Sequence, residues 1–216
     1  RPTTVKTRYV AQGQQLLRAD REDASAFDGD AERRLLQLVE AEVRDADVVA
    51  VSDYAKGVVS RVVAAQAVAS ARALGKPVVV DTKTLDPSAF RGASFMTPNA
   101  RELAALSGAA AGSNAEVEAA AEKLMRAAEL GGVVVTRSER GMTVVERGSA
   151  VHLAAEAREV FDVSGAGDTV LAVFALALGA GASTRDAAVL ANTAAGIAVS
   201  KSGTAVVRPE ELLRAL

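Results

Sequence analysis

The sequence has no cysteine and no tryptophan, a single histidine, and aromatic residues at only 3% of its 216 positions. Each scarcity closes a class of chemistry. Without cysteine there is no disulfide, no thiolate nucleophile and no cysteine metal site. One histidine excludes a two-histidine metal centre and leaves any serine–histidine triad dependent on His152, which lies in an apparent strand over 149–153 and reads as a strand or surface residue. General-base work then falls to a carboxylate or a lysine. No apolar run approaches the roughly 20 residues that span a bilayer, and the start of the chain carries no signal-peptide core. The chain is therefore read as cytoplasmic, with no membrane partner. Charge of neither sign is concentrated: 25 basic and 27 acidic residues leave a net −2, so no basic face is set aside for nucleic acid or anionic lipid. A small-molecule partner is expected.

Half of the residues are hydrophobic, enough for the core of one good-sized α/β domain. The stretches 1–10 and 14–20, separated at Gly13, read as a hairpin. Leu35, Val39 and Val43 recur at helical spacing with Leu36 alongside. Short apolar runs follow at 47–51, 77–80, 93–96 and 132–135, the first two separated by a helix-length segment, 58–74. A capping box at Ser113 and Glu116 opens a helix whose face carries Val117, Ala121, Leu124 and Ala128. Continuous apolar strands between helices imply a mainly parallel sheet covered on both sides. Two strands, 140–146 and 149–153, joined to each other at Arg147-Gly148, read as an antiparallel pair added to it. Two helices finish the core, 166–178 and one from Ser183 through Leu190, Ala194 and Ile197. The chain opens on structured-looking sequence without an initiator methionine, and it is read as a piece of something longer.

The stretch around which the rest is organised is Phe161-Asp162-Val163-Ser164-Gly165-Ala166-Gly167-Asp168-Thr169. Glycines and an acid open a helix there. Helix starts carry unpartnered N–H groups at the positive end of the dipole, so this is a natural anion pocket with a carboxylate beside it. On these residues alone a second reading stands equally: the glycines allow a tight turn and Asp168 favours the dipole. A dinucleotide fingerprint is excluded because Val170 occupies the place of its third glycine, and no Walker A loop occurs.

In parallel α/β sheets ligands bind beyond the carboxyl ends of the strands. Those ends are polar here: Ser52-Asp53-Tyr54-Ala55-Lys56-Gly57, Asp81-Thr82-Lys83, Thr97-Pro98-Asn99-Ala100-Arg101-Glu102 and Thr136-Arg137-Ser138. Taken singly, Asn99 caps the helix of Glu102, Asp53 and Asp81 are turn residues, and Lys56, Lys83 and Arg137 are solvated charges. Taken together with Asp168, they make a set suited to phosphoryl transfer from a magnesium nucleotide, which needs charge neutralisation, metal anchoring and an oriented hydroxyl.

At this point the sequence resembles the ribokinase-like, or PfkB, carbohydrate kinases. Residues 162–168 are similar to that family's D-T-x-G-A-G-D signature, and Asn99 with Glu102 matches its N-x-x-E motif. Thr136 and Gly141 stand in its T-x-G-x-x-G, with Ser138 at the middle glycine. The resemblance implies a three-layer α/β/α fold with a mainly parallel sheet and the remnant of a β-lid. It implies Asp168 as catalytic base and the N–H groups of Gly165, Ala166, Gly167 and Asp168 as an anion hole. Asn99 and Glu102 would organise Mg²⁺ through water. Thr136, Arg137, Gly141, Asn192, Lys201, Gly203 and Thr204 would contact ATP, the last four near the adenine, and Asp53, Lys56 and Lys83 would face the sugar.

Within the family, segments 1–8, 14–22, 52–57 and 97–99 are similar to the kinase domain acting on D-glycero-β-D-manno-heptose 7-phosphate in ADP-heptose synthesis. That domain carries D-P-K-G where Asp81-Thr82-Lys83-Thr84 stands here. The resemblance implies that the chain is the carboxyl-terminal two thirds of such a domain, with a lid segment over 1–22 and a nucleotide-binding core over 28–216. It further implies ATP or ADP and a phosphorylated sugar as partners and a homodimer in the complete protein. A PfkB kinase for another sugar, or a nucleotide-binding fragment without turnover, are the alternatives.

Overall fold

A computed structural model of the chain describes residues 2–12, 14–156 and 160–216. Arg1 and Gly13, both part of the expected hairpin, lie outside the described residues. The hairpin forms from β1 (Val5–Ala11) and β2 (Gln14–Arg21), antiparallel with a register shift at Tyr9/Val10. Its strands pair only with each other, and every described residue in them is exposed.

The body is one six-stranded sheet in the order β3 (Val49–Asp53), β4 (Val78–Thr82), β5 (Phe95–Met96), β6 (Gly132–Thr136), β7 (Met142–Glu146) and β8 (Ser149–Leu153). Strands β3 to β6 run parallel, and β6 to β8 form an antiparallel meander. The helices are α1 (Gly29–Asp45), α2 (Arg61–Ala73), α3 (Ala100–Ser107), α4 (Asn114–Ala128), α5 (Ala166–Gly179), α6 (Thr184–Val199) and α7 (Pro209–Ala215). Successive strand residues feed opposite cores, as the two-residue period requires. Val78, Val80, Met96, Val133 and Val135 pack with α1 to α4. Val79, Phe95, Val134 and Val144 pack with α5 and α6. The result is the expected three-layer arrangement.

Local chemistry sets the boundaries. The segment expected as a helix over 58–74 begins only at Arg61, because Ser60 caps it by accepting from the N–H of Val63 at 3.2 Å. The run expected as a strand over 93–96 pairs only at Phe95 and Met96, since the N–H of Ala93 is already bound to Phe90 O. Both halves of the Ser113–Glu116 capping box are made. Helix α7 was not expected: it is a single short piece with no buried residue, too brief to show a period.

Candidate active site

The parallel strands end at one crest. Asn99, just after β5, bridges in parallel to Thr136, the last residue of β6, and Thr97 is held by its N–H to Val80 O at 2.9 Å. Opposite the crest stands the start of α5. Its cap is Gly165, at φ +82° and with no side-chain capping bond; the N–H of Ala166 is bound to Val163 O at 3.2 Å, so those of Gly167 and Asp168 are left for a ligand. The preceding loop is braced locally: Asp162 accepts from the N–H of Ser164 at 2.8 Å. Phe174 of α5 meets Phe95 of β5 edge to face at 5.1 Å, which fixes the helix over the sheet.

Three cavities meet at Thr136. One of about 240 Å³ is lined by Tyr54, Asp81, Lys83, Thr97, Asn99, Glu102, Gly167 and Asp168. A second, of about 500 Å³ and mainly apolar, runs from Gly141 and Met142 past Ala166 and Gly167 to Asn192 and Val199. The third, also about 500 Å³, lies between Asn99 and Arg140. Gly167 is common to the first two, so the α5 start forms the wall between a carboxylate-lined cavity and an apolar one.

Inside the first cavity the polar groups are coupled. The Tyr54 hydroxyl donates to Asp168 Oδ1 at 2.7 Å. Lys83 Nζ donates to Glu102 Oε1 at 2.7 Å and more weakly to both Asp81 oxygens at 3.4 Å. Burial raises the Asp81 carboxyl above its ordinary value, against the pull of Lys83 and with the nearby charge of Glu102 adding to it. Burial works against the Lys83 charge, yet Glu102 and Asp81 together raise its pKa. Tyr54 is raised first by its bond to Asp168 and next by burial. Asn99 and Glu102 form a complete capping box on α3: Asn99 Oδ1 accepts from the N–H groups of Arg101 and Glu102, both at 2.9 Å, and Glu102 Oε2 accepts from Asn99 N–H at 2.9 Å.

Other expected site residues sit elsewhere or are engaged. Asp53 is buried, accepting from the hydroxyls of Thr82 at 2.8 Å and Thr84 at 2.9 Å. The two threonines that depart from D-P-K-G therefore have a shared task. Lys56 pairs with Glu22 at 2.5 Å, tying the hairpin's end to the β3 loop. The Arg137 guanidinium is buried on Asn114 Oδ1 at 2.6 Å and Thr143 Oγ1 at 3.1 Å. Lys201 reaches Val206 O at 2.9 Å and Glu211 on α7 at 2.7 Å. Asn192 lines the apolar cavity while donating to Ala154 O at 2.8 Å. Thr204 approaches the α5 start, 3.4 Å from where a β-carbon on Gly165 would lie. At Gly141 a β-carbon would meet Leu153 O at 2.1 Å, so glycine is obligatory there. Tyr54 was not assigned a role from sequence, although it sits between Asp53 and Lys56 at a strand end and is one of only two tyrosines.

Residues 1–211 match the pfkB family carbohydrate kinase pattern. The chain belongs to the pfkB family of carbohydrate kinases. Among its pfkB relatives is "Bifunctional protein HldE" of a Caulobacter species, 53% identical over 215 residues, which are 99% of this chain and 43% of that protein. The chain thus spans less than half the length of the curated relatives of this kind. Solved pfkB-like folds include Escherichia coli phosphofructokinase-2 in complex with potassium, at TM-score 0.79 and 20% identity over 98% of this chain and 69% of that one. Arabidopsis thaliana ribokinase complexed with ribose and ATP superposes at TM-score 0.75, also at 20% identity, over 98% and 68%. No helix among the described residues is long and apolar enough to cross a membrane.

Proposed function

We propose that this chain forms the nucleotide-binding and acceptor-activating part of an ATP-dependent kinase that phosphorylates the anomeric hydroxyl of D-glycero-β-D-manno-heptose 7-phosphate. The observation that carries this reading is the junction at Gly167 and Thr136, where an apolar cavity of about 500 Å³ adjoins the carboxylate-lined cavity that holds Asp168. The 53% identity to a bifunctional HldE supports the heptose as acceptor. In the reaction the acceptor oxygen bonds to the γ-phosphorus as the bond to the bridging oxygen of ADP breaks, and the hydroxyl proton passes late to Asp168. First-turn N–H groups of α5 receive the phosphoryl oxygens. The exposed hairpin serves as the lid segment and as a contact between two copies.

Magnesium fits this site as a water-carried ion. No group of three carboxylate, histidine or cysteine side chains among the described residues could cage a metal, whereas Mg²⁺ keeps most of its waters and uses one or two carboxylates beside substrate phosphates. Glu102 retains spare acceptor positions on both oxygens after its bonds to Lys83 and Asn99. Asn99 and Glu102 would hold the hydrated ion, which supplies neutralisation of phosphate charge.

The test is Asp168→Asn in the protein as the cell makes it, assayed with magnesium ATP and the heptose phosphate beside other phosphorylated and free sugars. Turnover of the heptose phosphate is expected to fall by orders of magnitude with nucleotide affinity nearly unchanged. Turnover close to the parent's would remove Asp168 from the mechanism, and preference for another sugar would overturn the substrate assignment.

A further inference from the structure

Asp168 is the third residue of α5, the position from which an acidic side chain can turn back to its own helix start. At the other boxes of this chain the residue so placed does that: Glu102 binds the cap N–H of Asn99 and Glu116 that of Ser113. Asp168 has the same opportunity and a stronger pull, because Gly165 leaves the first turn uncapped by any side chain. Nothing packs beside Gly167 to prevent it. An ionised Asp168 folded over the helix start would occupy the place of the transferring phosphoryl group.

The Tyr54 hydroxyl, 2.7 Å from Oδ1, comes from the opposite side of the cavity, on the loop after β3. We infer that Tyr54 is a positioning residue: it holds the Asp168 carboxylate off the α5 N-terminus and on the acceptor side, leaving the helix N–H groups to phosphate and Oδ2 to the acceptor hydroxyl. This rests on Asp168 being the base. It assigns the half-exposed tyrosine of the Ser52–Gly57 loop a part in the reaction, and it explains why a phenol that could form a smooth outer wall instead spends its hydroxyl on an exposed carboxylate.

Tyr54→Phe deletes one oxygen and keeps the ring. In the protein as the cell makes it, kcat with magnesium ATP and D-glycero-β-D-manno-heptose 7-phosphate is expected to fall by about 10- to 100-fold, the scale of a misplaced catalytic group. Affinity for the β,γ-imido analogue of ATP should fall roughly 2- to 5-fold as the released carboxylate competes for the helix N–H groups. In an Asp168→Asn background the same substitution should change neither the residual rate nor the analogue affinity, because the two act through one contact. Tyr54→Leu should reproduce the pattern of Tyr54→Phe.

Equal losses in both backgrounds would make Tyr54 a general structural support and overturn the inference, as would parental kcat and analogue affinity in Tyr54→Phe. A loss confined to Tyr54→Leu would assign the effect to the ring and overturn it too. Parental turnover in Asp168→Asn alone would instead sink the assignment of the base. The analogue titration needs no sugar, so it decides the positioning role whichever acceptor the enzyme takes.

Discussion

Ser138 shows how a single residue carries the constraint of its motif. It stands at the middle glycine of T-x-G-x-x-G and adopts φ +53°, the left-handed region that costs a side-chain-bearing residue about 1–2 kcal/mol. Glycine would relieve that cost but adds roughly 0.4–1 kcal/mol of freedom to the unfolded chain. Ser138→Gly is therefore expected to raise stability slightly, by about 1 kcal/mol or less in urea unfolding; a clear loss would mean that the serine hydroxyl holds the turn. Asp81 makes a pH-dependent prediction. Its pKa is raised in the fold, chiefly by burial, so the native state binds more protons than the unfolded one above the ordinary carboxylate range. The stability this group contributes is complete below its unfolded pKa and is lost as pH rises through the folded value. Asp81→Asn should then raise Tm near neutral pH by about 2–4 °C, with the gain fading in acid below the ordinary carboxylate range. A gain that is the same at every pH would contradict burial as the cause. Glu102→Gln keeps a group able to cap α3 but removes the charge, so the magnesium requirement should rise; an unchanged magnesium titration would leave Glu102 a cap alone.

At the scale of elements, α5 differs from its neighbours in how it begins. Helices α1, α2, α4 and α6 start on Asp28, Ser60, Ser113 and Ser183, each accepting a first-turn N–H. Ser113→Ala should cost about 1 kcal/mol, measured by denaturant unfolding, because it strips half of a complete box. The start of α5 forgoes a side-chain cap and keeps the N–H groups of Gly167 and Asp168 open, that of Ala166 being bound to Val163 O. Gly165→Ala should be destabilising by about 1–2 kcal/mol through its positive φ, and it should weaken nucleotide binding as Thr204 is pushed from the helix start. Retained affinity would separate Thr204 from the nucleotide side. The strands and caps were legible because their signals are local: runs of valine, a serine three residues before an acid. Helix α7 and the shortened β5 were not, because one is shorter than the period needed to read it and the other is limited by the bond that Ala93 N–H donates to Phe90 O rather than by its apolar pattern.

For the whole molecule, the distribution of exposed apolar side chains is uneven. Tyr9 and Leu17 are direct cross-strand partners on one face of the hairpin and are 54% and 58% exposed. A two-stranded ribbon without a covered face is marginal in water. The chain is expected to self-associate through it, and Tyr9→Lys with Leu17→Lys should shift sedimentation toward the monomer. Unchanged sedimentation would place any self-association elsewhere. The groups proposed for nucleotide binding lie within these 216 residues, so the isolated chain is also expected to bind magnesium ADP in calorimetry; no binding would place the nucleotide elsewhere.

By itself the sequence determined the layer order, the strand ends that carry polar residues and the glycine-opened helix, since each follows from periodicity or from backbone chemistry within a few residues. Tertiary structure alone decided what those polar residues do. It committed Arg137 to Asn114 and Thr143, Lys56 to Glu22 and Lys201 to Glu211, and it brought Tyr54 to Asp168 across 114 positions of chain. Charge and hydrogen-bonding capacity belong to a residue, but the partner that uses them is chosen by packing between distant segments. No local pattern records that choice.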